Sequence, residues 1–194
     1  YHRRNSIGLL KNSPKNYGIE VDIRSLGKEL IINHDPFEEG PFFSAWIKNY
    51  NHGTLVINLK EDGLEEKIIY YLKKYKINSF FFLDQLMPSI IKTSNMGELN
   101  CAVRVSDYES IETAINIKNK VKWVWVDIFQ KFPLDHKRFI DLKKNNFKVC
   151  LVSPELQSSN KLHIRDLKNI LKKEDIIPDA ICTKYPEKWS YLIN

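Results

Sequence analysis

From residue 53 onward the chain keeps a regular beat of short apolar runs and longer amphipathic segments. GTLVINLK (53–60), SFFFLD (79–84), CAVRVS (101–106), VKWVWVDIF (121–129), FKVCLVS (147–153) and DAICT (179–183) read as strands, because β-branched and aromatic residues dominate each. Between them lie GLEEKIIYYLKKYKI (63–77), a short segment around MPSIIKTS, YESIETAINIKNK (108–120), LDHKRFIDLKKNN (134–146) and HIRDLKNILKKED (163–175). Their apolar residues recur every three or four positions, which predicts helices. A closing EKWSYLI follows the last run. Upstream, YGIEVDIRS (17–25) alternates instead: Ile19, Val21 and Ile23 are apolar, while Glu20, Asp22 and Arg24 are charged.

Apolar strands alternating with helices predict a parallel sheet covered on its outer face. Counting IEVDIR, seven such strands are present, and an eighth would end at Tyr1-His2 as a stub. Eight βα units of about 25 residues each predict a compact (β/α)8 TIM barrel with its first strand reduced to that stub. No linker divides the chain, so one domain over residues 1–194 is expected. An open doubly wound sheet would need a glycine-rich phosphate loop after a strand, and no strand here is followed by one.

Composition changes this picture little. The 194 residues are 43% apolar and 28% charged, which suits a globular chain and excludes a disordered one. No run of about 18 apolar residues occurs, so no membrane-spanning segment is expected. YHRRNSIGLL carries too short an apolar run for a leader. A cytoplasmic location is therefore the expectation, with an exported chain whose leader has been removed left open. Cys101, Cys150 and Cys182 each fall inside apolar runs and fit neither a disulfide framework nor a metal motif. The net charge of +6 comes from lysines spread over amphipathic segments rather than from a basic arm, so no nucleic-acid partner is expected. The positive field suits an anionic small molecule.

In a parallel barrel, chemistry sits at the C-terminal ends of the strands. His2 closes the stub, Glu20 and Asp22 lie late in the next strand, and His34-Asp35 end the extended ELIINHD. Asn58 and Lys60 end GTLVINLK, and Asp84 ends SFFFLD. Arg104, Asp127 and Ser153 lie late in later strands, with Glu155 just beyond. Period-two geometry puts Glu20 and Asp22 on one face, about 7 Å apart. Two interior carboxylates are costly when unpaired. A hard divalent cation, Mg²⁺ or Ca²⁺, would solve this, and so would a salt bridge to Arg24, Lys60 or Arg104. His2 and His34 bracket the carboxylate pair. Beside a phosphodiester, one histidine can take a proton from the attacking oxygen while the other protonates the leaving alkoxide. His52, His136 and His163 fall in loops or on polar helix faces and read as solvated.

The ordered set HRRNS, GIEVDIR, LIINHDP and a final ICTKYP resembles the glycerophosphodiester phosphodiesterase family, in the larger group that includes phosphatidylinositol-specific phospholipase C. The family's pattern is HRG with a nearby Asn, then E-x-D, HD, E-x-K and T-D-x-P, and the likeness runs from residue 2 to about 186. The resemblance implies a (β/α)8 barrel and a metal-dependent phosphoric diester hydrolase acting on a small glycerophosphodiester-like molecule. It implies His2 and His34 as the acid/base pair, Glu20 and Asp22 as metal ligands, and Arg3 and Lys60 as phosphate contacts. It also implies attack by a neighbouring substrate hydroxyl and a cyclic phosphate intermediate.

Three positions depart from the pattern. HRG is His2-Arg3-Arg4, E-x-K is Asn58-Leu59-Lys60, and T-D-x-P is Thr183-Lys184-Tyr185-Pro186. The second substitutes an amide oxygen for an anionic metal ligand, so Asn58 is the third candidate ligand, with Asp84 or Glu155 as possible extras. The segments FFFLDQLMP, VRVSDYES and CLVSPEL look like a bacterial branch associated with surface-polysaccharide loci, which would imply a different phosphodiester substrate. A non-catalytic barrel that binds a phosphorylated ligand is the other reading these departures support.

Overall fold

A computed structural model describes residues 1–157 and 162–189. Seven expected strands and the helices between them are present, the expected stub at Tyr1-His2 is not a strand, and residues 190–193 of the closing EKWSYLI lie outside the described residues. The chain divides into two compact units, Tyr1–Asn100 and Cys101–Asn194.

The first unit holds α1 (Ile7–Lys11), β1 (Ile19–Leu26), β2 (Glu29–Ile32), α2 (Phe43–Trp46), β3 (Leu55–Leu59), α3 (Glu65–Lys74), β4 (Phe80–Leu83) and α4 (Met87–Asn95). Its sheet runs β2-β1-β3-β4. β1, β3 and β4 are parallel, while β2 returns from β1 as an antiparallel hairpin. The ELII stretch, read from sequence only as extended, is thus a true strand. β3 and β4 are buried along their whole length, as continuous apolar runs require. α3 carries Glu65 and Glu66 in its first turn and Lys73 and Lys74 in its last, which matches the helix dipole at both ends.

The second unit repeats the beat with β5 (Ala102–Val105), α5 (Ile111–Asn116), β6 (Trp123–Val126), α6 (His136–Lys144), β7 (Lys148–Val152), α7 (Ile164–Lys173) and β8 (Ala180–Cys182). Its sheet is all parallel, in the order β5-β6-β7-β8. α5 is shorter than the expected 108–120, because Ser106 turns the chain through Tyr108 and Glu109 before the helix begins. The fold is therefore α/β with parallel sheets in two four-stranded sets, and no closed eight-stranded ring is seen among the described residues. All three cysteines are buried and in no disulfide among the described residues, and burial pushes the Cys150 thiol up to about 12.

Candidate active site at the end of β1 and β3

Residues 1–5 form no strand, yet they run hydrogen-bonded along β1. The Glu20 N–H donates to the Tyr1 carbonyl at 2.8 Å, and the Arg4 N–H donates to the Glu20 carbonyl at 2.9 Å. The stub is thus pinned where β2 has not yet begun to pair. This pinning brings His2, Arg3 and Asn5 to the two carboxylates of β1. His2 Nε2 lies 3.9 Å from Glu20 Oε2. Arg3 takes a left-handed backbone (φ 49°), from which its N–H donates to Glu20 Oε2 at 2.6 Å. A side chain held in that region marks a position constrained by its surroundings. Arg4, the extra cation at the family's glycine position, sits with its guanidinium 4.3 Å above the Tyr1 ring.

The parallel register places Asp22 opposite Asn58, so β3 delivers its amide to the same spot. Asn58 Nδ2 donates to Glu20 Oε1 at 3.1 Å. Asn5 grips Asp22 twice: its Nδ2 donates to Oδ2 at 2.7 Å, and its Oδ1 accepts the Asp22 N–H at 3.1 Å. Just past β3, Lys60 Nζ lies 3.1 Å from Asp22 Oδ1 and 3.6 Å from Asp84 Oδ2. Arg3 Nε is 3.7 Å from Asp22 Oδ2. Asp84 itself is left-handed (φ 63°) at the end of β4.

Glu20 and Asp22 are both buried, at 2% and 0% exposure. Burial, and then the neighbouring Asp22 charge, push the Glu20 carboxyl up to about 7, against the opposing Arg3 N–H, Asn58 amide and Lys60 charge. Two buried oxygens, Asp22 Oδ1 and Asn58 Oδ1, accept no hydrogen bond. Asp22 Oδ1 is met instead by the Lys60 ammonium, an ion pair at 3.1 Å, and Asn58 Oδ1 is left open. Among the described residues no cluster of three or more His, Cys, Asp or Glu is placed to hold a metal. The carboxylate pair has an amide as its third member. Carboxylate and amide oxygens are nonetheless the donors a hard divalent cation takes, and by donor chemistry the set fits one.

His34 lies beyond β2 on the loop 33–40. Its Nδ1 is 2.9 Å from Asp35 Oδ1, and this hydrogen bond is the main cause that holds the exposed Asp35 carboxyl below its usual range. Of the cations expected as partners of the carboxylate pair, Lys60 reaches Asp22. Arg24 turns to the His34 carbonyl, and Arg104 lies 3.3 Å from Asp127 in the second unit.

Within that second unit Glu155 accepts from Ser153 Oγ, Thr183 Oγ1 and the Lys184 N–H. A cavity of about 630 Å³ beside it is lined by His163, Arg165, Lys168, Tyr185 and Lys188 among others. Sequence reasoning assigned no role to Asn5, and to Arg24 only that of a candidate salt-bridge partner for the carboxylates. The nearby Asn of the family pattern pointed to the first, and no motif pointed to the second.

No family model matches the chain, and no curated protein matches it significantly in sequence. Solved structures do match in fold. A protein described as a glycerophosphoryl diester phosphodiesterase from Agrobacterium tumefaciens aligns with a TM-score of 0.68 at 11% identity, over 96% of this chain and 88% of that one. One described as a glycerophosphodiester phosphodiesterase from Galdieria sulphuraria gives 0.67 at 15% identity, over 95% and 87%. A glycerophosphoryl diester phosphodiesterase from Parabacteroides distasonis gives 0.63 at 12% identity, over 98% and 81%. At these identities the likeness is one of fold, and it is the fold of the family whose motifs the sequence resembles.

Proposed function

We propose that the chain is a phosphoric diester hydrolase, built as a (β/α)8 barrel, that cleaves a glycerophosphodiester-like small molecule. The observation that carries this reading is the buried Glu20–Asp22 pair beside His2, with an open amide oxygen on Asn58. A substrate hydroxyl next to the ester attacks phosphorus, the bond to the leaving alkoxide breaks, and a cyclic phosphate forms. Of His2 and His34, one takes the hydroxyl proton and the other protonates the alkoxide. Water then opens the ring with the two roles reversed. A Mg²⁺ or Ca²⁺ ion held by Glu20, Asp22 and Asn58 would polarise the phosphate and ease loss of the hydroxyl proton. Lys60 and Arg3 balance the phosphate charge. Asn5 fixes Asp22, and Asp35 bonds His34 Nδ1, which leaves Nε2 for the substrate.

The test is hydrolysis of sn-glycero-3-phosphocholine with Mg²⁺ or Ca²⁺ present. His2→Ala and His34→Ala should each lower turnover about a hundredfold or more. Full activity in both variants sinks the acid/base assignment. A second reading, a barrel that binds a phosphodiester without cleaving it, is favoured by Lys60 already lying against Asp22 and Asp84. Binding without turnover across a broad panel of phosphodiesters, with metal present, would select it.

A further inference from the structure

We propose that Arg24 is the positioning residue that fixes His34, through a two-point clamp on the His34 backbone carbonyl. The proposal rests on the reading of His34 as half of the acid/base pair. His34 has an unfavourable address for such a role. Residues 35–39 of its loop are all exposed, and Phe37 at the tip stands fully in solvent with a left-handed backbone (φ 65°). The loop is closed at its base by the Ile32 N–H donating to the Pro41 carbonyl at 2.9 Å. There Gly40 passes so close to Ile32 that a Cβ would lie 2.0 Å from its carbonyl oxygen. Between base and tip the bonds are the loop's own: Asn33 Nδ2 to the Glu39 carbonyl, the Asp35 N–H to Asn33 Oδ1, and His34 Nδ1 with Asp35. These shape the loop without tying His34 to the sheet.

Arg24 supplies that tie. It projects from β1, two residues past Asp22, where its backbone is paired with Ile31 of β2. Its Nε and Nη2 both donate to the His34 carbonyl, at 3.2 and 3.1 Å. The planar guanidinium allows both bonds at once, and the charge strengthens each. One strand thereby carries the Glu20 and Asp22 carboxylates and also sets the distance from them to His34. Asp35 orients the imidazole ring, and Arg24 fixes the backbone that bears it. A shift of about 1 Å in a reacting group can cost on the order of a hundredfold in rate, so a histidine on an exposed loop needs such a fixture.

The experiment compares Arg24→Gln and Arg24→Lys with the unaltered chain. The first readout needs no activity: backbone ¹⁵N order parameters across residues 33–40. In Arg24→Gln they should fall from the rigid range near 0.85 towards about 0.6, while β1 and β3 stay rigid. The second readout is turnover of sn-glycero-3-phosphocholine with Mg²⁺ or Ca²⁺. Here kcat should drop about tenfold or more with KM held within about twofold, and Arg24→Lys, able to make one of the two bonds, should recover part of the loss. Unchanged order parameters overturn the clamp whatever the activity. A raised KM with kcat intact overturns it too, because Arg24 would then be holding substrate. If the unaltered chain turns over nothing while the loop loosens as expected, the clamp stands and the phosphodiesterase reading fails.

Discussion

The two units end their strands in similar polar residues and treat them in opposite ways. In the second unit the buried groups close on one another. Asp127 meets Arg104 and accepts from Gln157 at 2.9 Å. Ser153 donates to Glu155 and accepts from Trp189 Nε1 at 3.0 Å, and Thr183 donates to the other oxygen of Glu155. Among the described residues of that unit no buried side-chain nitrogen or oxygen lacks a hydrogen bond. The first unit instead holds two buried carboxylates on one strand, where neither Asp22 Oδ1, met by the Lys60 ion pair, nor Asn58 Oδ1 accepts a hydrogen bond. A satisfied network makes loops rigid and adds stability. An unsatisfied one costs stability and is kept where a ligand completes it. By this contrast, the second unit's network reads as architecture, and the first unit's is where the proposed chemistry would sit.

The largest effect should come from breaking the closed side. Glu155→Ala removes the acceptor of two hydroxyls and the Lys184 N–H together. It should lower unfolding free energy by about 3 kcal/mol or more in urea titrations. The stabilisation by Mg²⁺ or Ca²⁺ expected from the first unit's carboxylates should survive the change. If that response vanishes as well, Glu155 is a ligand, and the division between architecture and chemistry is broken.

A smaller effect tests the open side. With cation removed by chelator, Glu20 titrates at about 7 in the folded chain against an ordinary 4.5. Between those values the folded state holds a proton that the unfolded chain has released. Stability therefore falls as pH rises from 4.5 to 7, by on the order of 2 kcal/mol for a shift of this size. Glu20→Gln cannot titrate, so its thermal melts across that range should lose the slope while also losing the response to added cation. A slope that persists in the variant would place the strain elsewhere.

Much of this was readable in the sequence, for a physical reason. The seven parallel strands all appear where apolar runs predicted them, because a strand buried on both faces has little freedom in composition. Glu20 and Asp22 share a face by strand periodicity alone, opposite Ile19, Val21 and Ile23, and both faces prove to be buried. What resisted reading was pairing over long sequence distances. Nothing in HRRNS says that Asn5 will grip a carboxylate 17 residues away, or that Arg4 will stack on Tyr1 instead of facing a phosphate. The choice among Arg24, Lys60 and Arg104 as partners of Asp22 was equally closed to sequence. It turns on where side chains reach from neighbouring strands, and only Lys60 follows directly on the strand paired with β1.

Asn58 gives the finest test, because one atom separates its amide from a carboxylate of the same length, a methylene shorter than the glutamate of the family pattern. Its amide now does two things: Nδ2 donates to Glu20 Oε1, and Oδ1 stays open. Asn58→Asp loses the first and sets a third negative charge against Glu20 and Asp22. Without cation the variant should be destabilised by about 1 kcal/mol, a lost hydrogen bond plus partly screened repulsion. With cation the sign should reverse, since a third carboxylate is a stronger ligand for a hard ion than an amide oxygen. Calorimetry with Mg²⁺ and Ca²⁺ should then show affinity raised about tenfold, and melts with and without chelator should cross between variant and parent. Equal affinity in the two chains would mean that Asn58 Oδ1 does not face the ion. The open oxygen of β3 would then belong to the substrate, with Glu20 and Asp22 left to hold the cation.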